Sequence, residues 1–418
     1  MKSTITNNHD QIATHLFRES SGKMVAYLSK RYGLNQLENI MDAVQETFES
    51  ALRHWRYKGI PDKPEAYLIT TAKNKLLNII KRDQLSQDIE SSLVSDRFSL
   101  PNEAEIDDNQ MQLLFFICSL ELPSKSQIIF TLYALCGFGT PEIANALLMS
   151  NEAVKKNLFR SKQTIKQQYL GNRFFSRCPK DTDQLNVILY LIFNEGYKTT
   201  RSKEGLNIDL CYEAIRLGKL LLLQVPESGE TSALLALMFF NISRFPARVS
   251  IENNWISLQQ QDRSLWNPIY IKEGFYYLRK ARSSTHLSKY HIEATIASLH
   301  SAAKSFETTK WTKIIHLYEQ LEQIEGVSFS LKLNQIIATS YIAPSANLLK
   351  ELELLKSGSK QENLFYFYLA KAHLLQSNHW HTAAAENYQI AYHHAQSEID
   401  KQFILQKIDD IQQVIKPN

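Results

Sequence analysis

Residues 42–82 concentrate the side chains best suited to binding chemistry. Asp42, Gln45, Glu46 and Glu49 recur at spacings of three and four, which gathers them on one face of a helix. Lys73, Lys75, Lys81 and Arg82 follow on a second helical stretch that has no acidic residue between Ala66 and Arg82. Trp55, Arg56, Tyr57 and Lys58 lead into a loop that holds Gly59, Pro61, Lys63 and Pro64. An acidic helix face binds basic protein surfaces, whereas a basic face with aromatics beside it holds phosphates and stacks unpaired bases. A second basic cluster lies between Thr140 and Lys180. Lys155, Lys156, Arg160, Lys162, Lys166, Arg173, Arg177 and Lys180 stand there against only Glu142 and Glu152. So many cations make phosphate contacts available and affinity steeply salt-dependent.

Apolar periodicity supplies the elements that must position these groups. Ala43, Val44, Phe48, Ala51, Leu52 and Trp55 form one inward stripe, and Tyr67, Leu68, Thr71, Ala72, Leu76, Ile79 and Ile80 form the next. A preceding helix over residues 10–33 carries Ile12, Leu16, Phe17, Val25, Leu28 and Tyr32 and ends at the C-cap Gly33. Residues 83–109 hold eight acidic side chains, Asp83 to Asp108, against Arg97 alone, and read as a flexible acidic linker. Beyond it, Pro123-Ser124 opens a helix that Gly137-Phe138-Gly139 breaks. Thr140 reads as the N-cap of a short helix with Pro141 in its first turn, and Met149-Ser150 turns the chain into a helix from Asn151 to about Tyr169. That is helix-turn-helix spacing, with the second helix placed to lie in a major groove.

These residues carry a resemblance. The runs Asp42-Ala43-Val44-Gln45-Glu46-Thr47-Phe48, Trp55-Arg56 and Pro64 to Lys75 resemble region 2 of bacterial sigma-70 factors, closest to the extracytoplasmic-function (ECF) class. The segment Thr140 to Lys162 resembles sigma region 4. The resemblance implies that Asp42, Gln45, Glu46 and Glu49 dock on the clamp helices of the largest RNA polymerase subunit, with the flap as a further contact. It implies that Trp55, Arg56, Tyr57, Lys58, Lys63, Tyr67, Lys73, Asn74, Lys75, Asn78, Lys81 and Arg82 melt and hold the −10 promoter element. It also implies that Thr140, Asn151, Glu152, Lys155, Lys156, Asn157, Arg160 and Lys162 engage the −35 element. The implied division is sigma region 2 over 1–83, the linker over 84–109, region 4 over 110–175 and a helical extension over 182–418. Relatives often carry Cys-His-Pro just before region 4. Here Ile117-Cys118-Ser119-Leu120 stands instead, so no metal or redox role passes to Cys118.

The extension is longer than both sigma-like parts together. Its Asn194-Glu195-Gly196-Tyr197, Glu213 to Leu217, Leu234 to Met238 and Gln261 to Asn267 runs resemble the C-terminal extension of one group of these factors. Residues 368–395 have the small-residue and aromatic rhythm of a tetratricopeptide hairpin, so the region reads as a helical-repeat array. With 418 residues, 44% hydrophobic content and only 13 Gly and 11 Pro, the chain is expected to be all-α and multidomain. Four dispersed cysteines without a CxxC pair suit a reducing cytosol. No apolar run reaches the ~18 residues of a membrane span, and the first residues lack a signal-peptide core, so a cytoplasmic protein without membrane contact is expected.

Chemistry of other kinds finds little support. No Walker loop, GxGxxG, HExxH or GxSxG occurs, so no enzyme and no cofactor is expected. His379, His381, His393 and His394 complete no closed metal site by spacing. Asn194, Glu195, Asp262, Arg263 and Trp266 could line a ligand pocket, or could satisfy helix ends. Two rival readings remain: a helix-turn-helix repressor or activator with a ligand- or partner-sensing repeat domain, and a repeat-protein scaffold. The repressor or activator has no use for the acidic face at Asp42 to Glu49, and the scaffold implies no salt-sensitive DNA binding.

Overall fold

The computed structural model describes residues 20–85, 103–147, 149–168, 182–197, 208–250, 254–356, 363–395 and 397–415. Among these residues helices account for the regular structure, and extended pairing is confined to one bridge between Val249 and Trp255. The expected all-α class is found. The chain divides into two compact units, residues 1–192 and 193–418.

In the first unit, helix α1 (20–32) ends at Gly33, whose φ of 91° and N–H bond to the Ser29 carbonyl make it the cap expected from the sequence. Ile12, Leu16 and Phe17 lie outside the described residues. A 3-10 turn (Leu34–Gln36) leads into α2 (Leu37–Lys58), which buries Ala43, Val44, Phe48, Ala51 and Trp55 as the stripe requires. Gly59 closes α2 at φ 78°, a conformation that glycine adopts without strain, and donates to the Trp55 carbonyl. Pro64 then starts α3 (Pro64–Leu85), and Leu68, Ile69, Ala72, Leu76 and Ile80 pack its inner side.

Most of the expected acidic linker lies outside the described residues, but from Glu103 on the chain is helical. α4 (Glu103–Ser119) buries Leu113, Leu114, Phe116 and Ile117 completely. α5 (Ser124–Ala134) is buried nearly all round. Gly137 at φ 68° breaks the helical run and the buried Phe138 anchors the break. α6 (Thr140–Ala146) starts one residue earlier than expected. Thr140 is its first residue rather than its N-cap, because Glu142 reaches back to accept the Gly139 N–H at 2.8 Å and supplies the cap itself. α7 (Asn151–Gln168) is capped by Ser150, whose hydroxyl accepts the Ala153 N–H at 3.1 Å.

The second unit begins within α8 (Asp183–Tyr197) and continues through α9 (Ile208–Gln224) to α10 (Gly229–Ile242), which is apolar on every side. α10 is wrapped by α9, α12 (Pro268–Lys280) and α13 (Lys289–Ala302), and the short α11 (Phe245–Arg248) follows it. Beyond this core the chain is a row of antiparallel neighbours: α14 (Trp311–Glu325), α15 (Phe329–Ser340), α16 (Ala346–Lys356), α17 (Leu364–Ser377), α18 (His381–His394) and α19 (Glu398–Ile415). Three apolar clusters follow one another along the row. Ile292, Ile314 and Leu331 centre the first, Ile336, Leu352 and Phe367 the second, and Ala372, Tyr388 and Ile404 the third. Each helix thus borrows its core from its sequence neighbours, the arrangement of a repeat array.

Arg263 and Asp262 show which of the two readings of the Gln261 to Asn267 run holds. Arg263 donates to the His300 and Ala303 carbonyls at the end of α13, at 2.6 and 2.8 Å, and to the Thr309 hydroxyl. Asp262 accepts the Ser264 N–H, and Asn267 caps α12. These side chains satisfy helix ends rather than a ligand.

α1 and α5 approach so closely that a Cβ at Gly22 would fall on the Leu135 carbonyl oxygen, a backbone atom that cannot move aside. Gly22→Ala is therefore expected to cost about 1–3 kcal/mol by overpacking. A thermal melt followed by circular dichroism checks this, with a lowered first transition as the expected result and an unchanged one against it.

Candidate nucleic-acid interface

α2 presents Asp42, Gln45, Glu46 and Glu49 to solvent on one face, because the burial of Ala43, Val44, Phe48 and Ala51 leaves them no other direction. Gln45 and Glu49 are tied by a side-chain hydrogen bond at 3.3 Å. Partial burial on the helix surface raises the Asp42 carboxyl above its ordinary value; Lys162 opposes this while Glu38 and Glu46 add to it. Glu38 extends the same acidic stripe one turn toward the start of α2, and sequence reading had not singled it out. The i, i+4 step from Glu38 to Asp42 was the signal available.

On α3 Asn74, Asn78, Lys81 and Arg82 are exposed, as are Glu65 and Thr70 nearer its start, with Lys73 and Lys75 half-buried. Lys75 turns toward α2, where its ammonium lies 3.3 Å from the Glu46 carboxylate. The acidic and basic faces therefore touch along one edge. In the last turn of α2 Lys58 is exposed and Tyr57 almost fully so, at 91%, and Lys63 is exposed in the loop that follows. The structure describes the backbone of Arg56 but not its side chain.

Trp55 departs from the expected arrangement. α2 continues through Lys58, so Trp55 falls on the helix as the last member of the apolar stripe. It is only 4% exposed, and its ring sits 5.9 Å from that of the half-buried Tyr67. A buried indole cannot stack on a melted base. It braces the base of the loop, and Tyr57 is the aromatic that faces solvent there.

On α7 the side chains of Glu152, Lys155, Lys156 and Arg160 are exposed, with Asn151 half-buried at the start of the helix and Thr140 half-buried on α6. Val154, Leu158 and Ile165 are buried on the opposite side. Two residues expected to meet DNA are engaged within the protein. The Asn157 amide donates to the Ser126 hydroxyl on α5 at 3.0 Å, which ties the two helices together. Lys162 pairs with Glu38 at 3.4 Å and lies over the Tyr133 ring at 5.4 Å. Conversely, Phe159 is 61% exposed in the i, i+3, i+4 row of Lys155, Lys156 and Arg160, which sequence reading passed over. Arg173, Arg177 and Lys180 lie outside the described residues.

Comparison with known proteins decides what these surfaces belong to. A family model described as Sigma-70 region 2 matches residues 17–85, and one described as Sigma-70, region 4 matches residues 118–165. The chain belongs to the sigma-70 family. Sigma factors act in transcription initiation, with core RNA polymerase and promoter DNA as partners, and this one carries a further helical extension. Residues 182–282 of that extension match a family of unknown function, DUF6596. An uncharacterized protein of Rhizobium meliloti (strain 1021) is 31% identical over 363 residues, covering 83% of each chain. No solved structure matches the chain. Among the described residues, no helix of this sigma factor is long and apolar enough to cross a membrane.

If Lys155 and Lys156 contact phosphates, replacing both by alanine should flatten the dependence of log affinity on log salt by about 2, close to 0.9 per phosphate lost. Fluorescence anisotropy of a labelled promoter duplex across a salt series measures the slope. An unchanged slope would place both ammonium groups away from the backbone.

Proposed function

We propose that the protein is a sigma factor of the ECF class whose C-terminal helical array regulates it in cis. In this reading α2 binds the polymerase clamp through Asp42, Gln45, Glu46 and Glu49. The stretch from Tyr57 to Lys63 and the outer face of α3 hold the melted −10 strand, with Lys73, Asn74, Lys75, Asn78, Lys81 and Arg82 on its backbone and bases. Tyr57 supplies the stacking surface, and a stacked base offsets part of the cost of unstacking it from the duplex. Arg160, Lys155, Lys156, Glu152 and Asn151 on α7 engage the −35 duplex, with Thr140 at the approach. The proposed domains are region 2 over 1–83, region 4 over 110–175 and the extension over 182–418, with the expected 84–109 linker shortened at both ends by α3 and α4, and the protein acts in the cytoplasm, where the polymerase is.

The single observation that carries the reading is the exposed acidic face of α2 one turn of chain away from the basic face of α3. A DNA-binding regulator that never joins polymerase gains nothing from a row of acidic side chains aimed outward beside its DNA surface. The regulatory role of the array is supported by its size, by its position after both sigma regions and by the absence of any transmembrane helix among the described residues.

In-vitro transcription tests both parts, using purified core polymerase with the full chain or with residues 1–180 on a library of upstream fragments. Specific starts from either form are expected, with a difference between the two marking the array as activating or inhibitory. The double variant Glu46→Lys, Glu49→Lys should lose core binding at least about tenfold while retaining duplex binding, since its reversed charges repel the basic clamp. A repressor or scaffold would show no transcript, no co-purification with core enzyme and no effect of the reversal on its function.

A further inference from the structure

The repeat array holds a half-open cavity of about 450 Å³ lined by α15, α17, α18, α19 and the 257–259 segment. Its volume lies within the range of small-molecule sites. Tyr341, Tyr366, Phe403 and Leu369 supply apolar walls. Gln259, Asn334 and Gln376 add amides to the lining, and two titratable nitrogenous side chains, His373 and Lys407, complete it.

The first is His373 on α17. Its Nε2 is shut off from solvent and has no hydrogen-bond partner, and its ring meets Tyr341 edge-on at 5.4 Å. Burial, reinforced by Lys407, lowers its pKa to about 4, so it is neutral at physiological pH. The second is Lys407 on α19, half-buried, 3.1 Å from the Gln260 side-chain oxygen and beside the Phe403 ring. No carboxylate among the described residues lies within ion-pair distance of it, and Asp410, the acidic group that influences it, accepts from Gln406 instead. A partly desolvated ammonium whose hydrogen bond goes to a neutral amide, with no carboxylate in direct contact, is weakly compensated. Such an ammonium beside an aromatic-walled cavity marks a site that an anion completes.

We propose that this cavity binds a small organic anion with a flat apolar body, its acidic head seated against Lys407 and its body against Tyr341, Tyr366 and Phe403. Lys407 supplies the counter-charge, and the neutral His373 ring forms part of the wall without adding a second charge to the site. That such a ligand alters transcription rests on the regulatory role proposed above. The binding itself does not.

The test uses the full-length protein and two fluorescent probes. One is 1-anilinonaphthalene-8-sulfonate, and the other is N-phenyl-1-naphthylamine, which has the same rings without the sulfonate. The wild type should bind the anionic probe saturably at one site. Lys407→Met should weaken it on the order of tenfold, the loss of one charge-assisted contact, while changing the neutral probe by less than about twofold. Lys407→Arg should restore the preference for the anion. Because the lysine lacks a charged partner, Lys407→Met should leave the melting temperature unchanged or raise it. Anion binding that is indifferent to Lys407→Met overturns the proposal. So does equal loss of both probes, which would make Lys407 a structural clasp to Gln260. Lys407-dependent binding with no effect on transcription would sustain the site and remove the regulatory reading alone.

Discussion

The closeness of α1 to α5 at Gly22, together with the Lys162–Glu38 pair, holds the two sigma regions side by side. This constraint governs what the rest of the first unit can do. The −10 and −35 elements are about 25 base pairs apart, on the order of 85 Å along B-form DNA at ~3.4 Å per base pair. Helices joined by a 3.4 Å ion pair cannot read both ends of that distance at once. In the proposed role the two regions must therefore part before a promoter is engaged. The 17 residues between Leu85 and Glu103 can span up to about 60 Å when extended, enough together with the bodies of the two regions. The acidic stripe leads to the same conclusion. Lys162 occupies its Glu38 end, so a partner that takes the whole stripe displaces α7 from it.

The energetic scale of these contacts suits a structure that has to open. Lys162–Glu38 and Lys75–Glu46 are long pairs with exposed carboxylates, and such pairs contribute roughly 0–1 kcal/mol each. A polymerase surface that offers its own cations to α2 loses little by replacing them. The backbone contact at Gly22 is different in kind. It sets Gly22 against the Leu135 backbone with no room for a Cβ, a close contact that is lost outright once the two surfaces separate. The first unit therefore combines exchangeable charge contacts at its functional face with a packed seam behind it. Asp42 is raised first by its partial burial, and Glu38 and Glu46 add to this, so a partner's cation on that face would favour its charged form.

Much of this was legible in the sequence because burial and exposure on a helix follow from spacing. The stripes of α2 and α3 came from i, i+3 and i, i+4 recurrence, and the outward carboxylates followed by elimination. The departures share one cause, which is that a local pattern does not say where a neighbouring element lies. Trp55 belonged equally to the stripe and to the loop, and only the position of Tyr67 decided for the stripe. Asn157 sat where base-reading amides sit, yet Ser126, more than thirty residues earlier, captures it. Thr140 was a good N-cap by type, but Glu142 made Gly139 the better one. The pairing of Lys162 with Glu38 spans 124 positions, and no periodicity encodes it.

The second unit follows a different logic. In a row of helices stabilised by nearest neighbours, each hairpin opens largely independently of the others. The cavity cuts across that independence. Its lining runs from Gln259 through Asn334 on α15 and His373 on α17 to Lys407 on α19, and the Lys407–Gln260 contact bridges 147 positions of the chain. An occupant that pairs with Lys407 and lies against His373 joins α17 and α19 to the 257–259 segment through one set of contacts. Hairpins that fluctuate separately then become a single cooperative body, because the bound state loses all of those contacts when any one hairpin moves away. A ligand can shift a conformational equilibrium only by the difference between its affinities for the two states. Here the affinity depends on α17, α19 and the 257–259 segment being together, since the lining is drawn from all three.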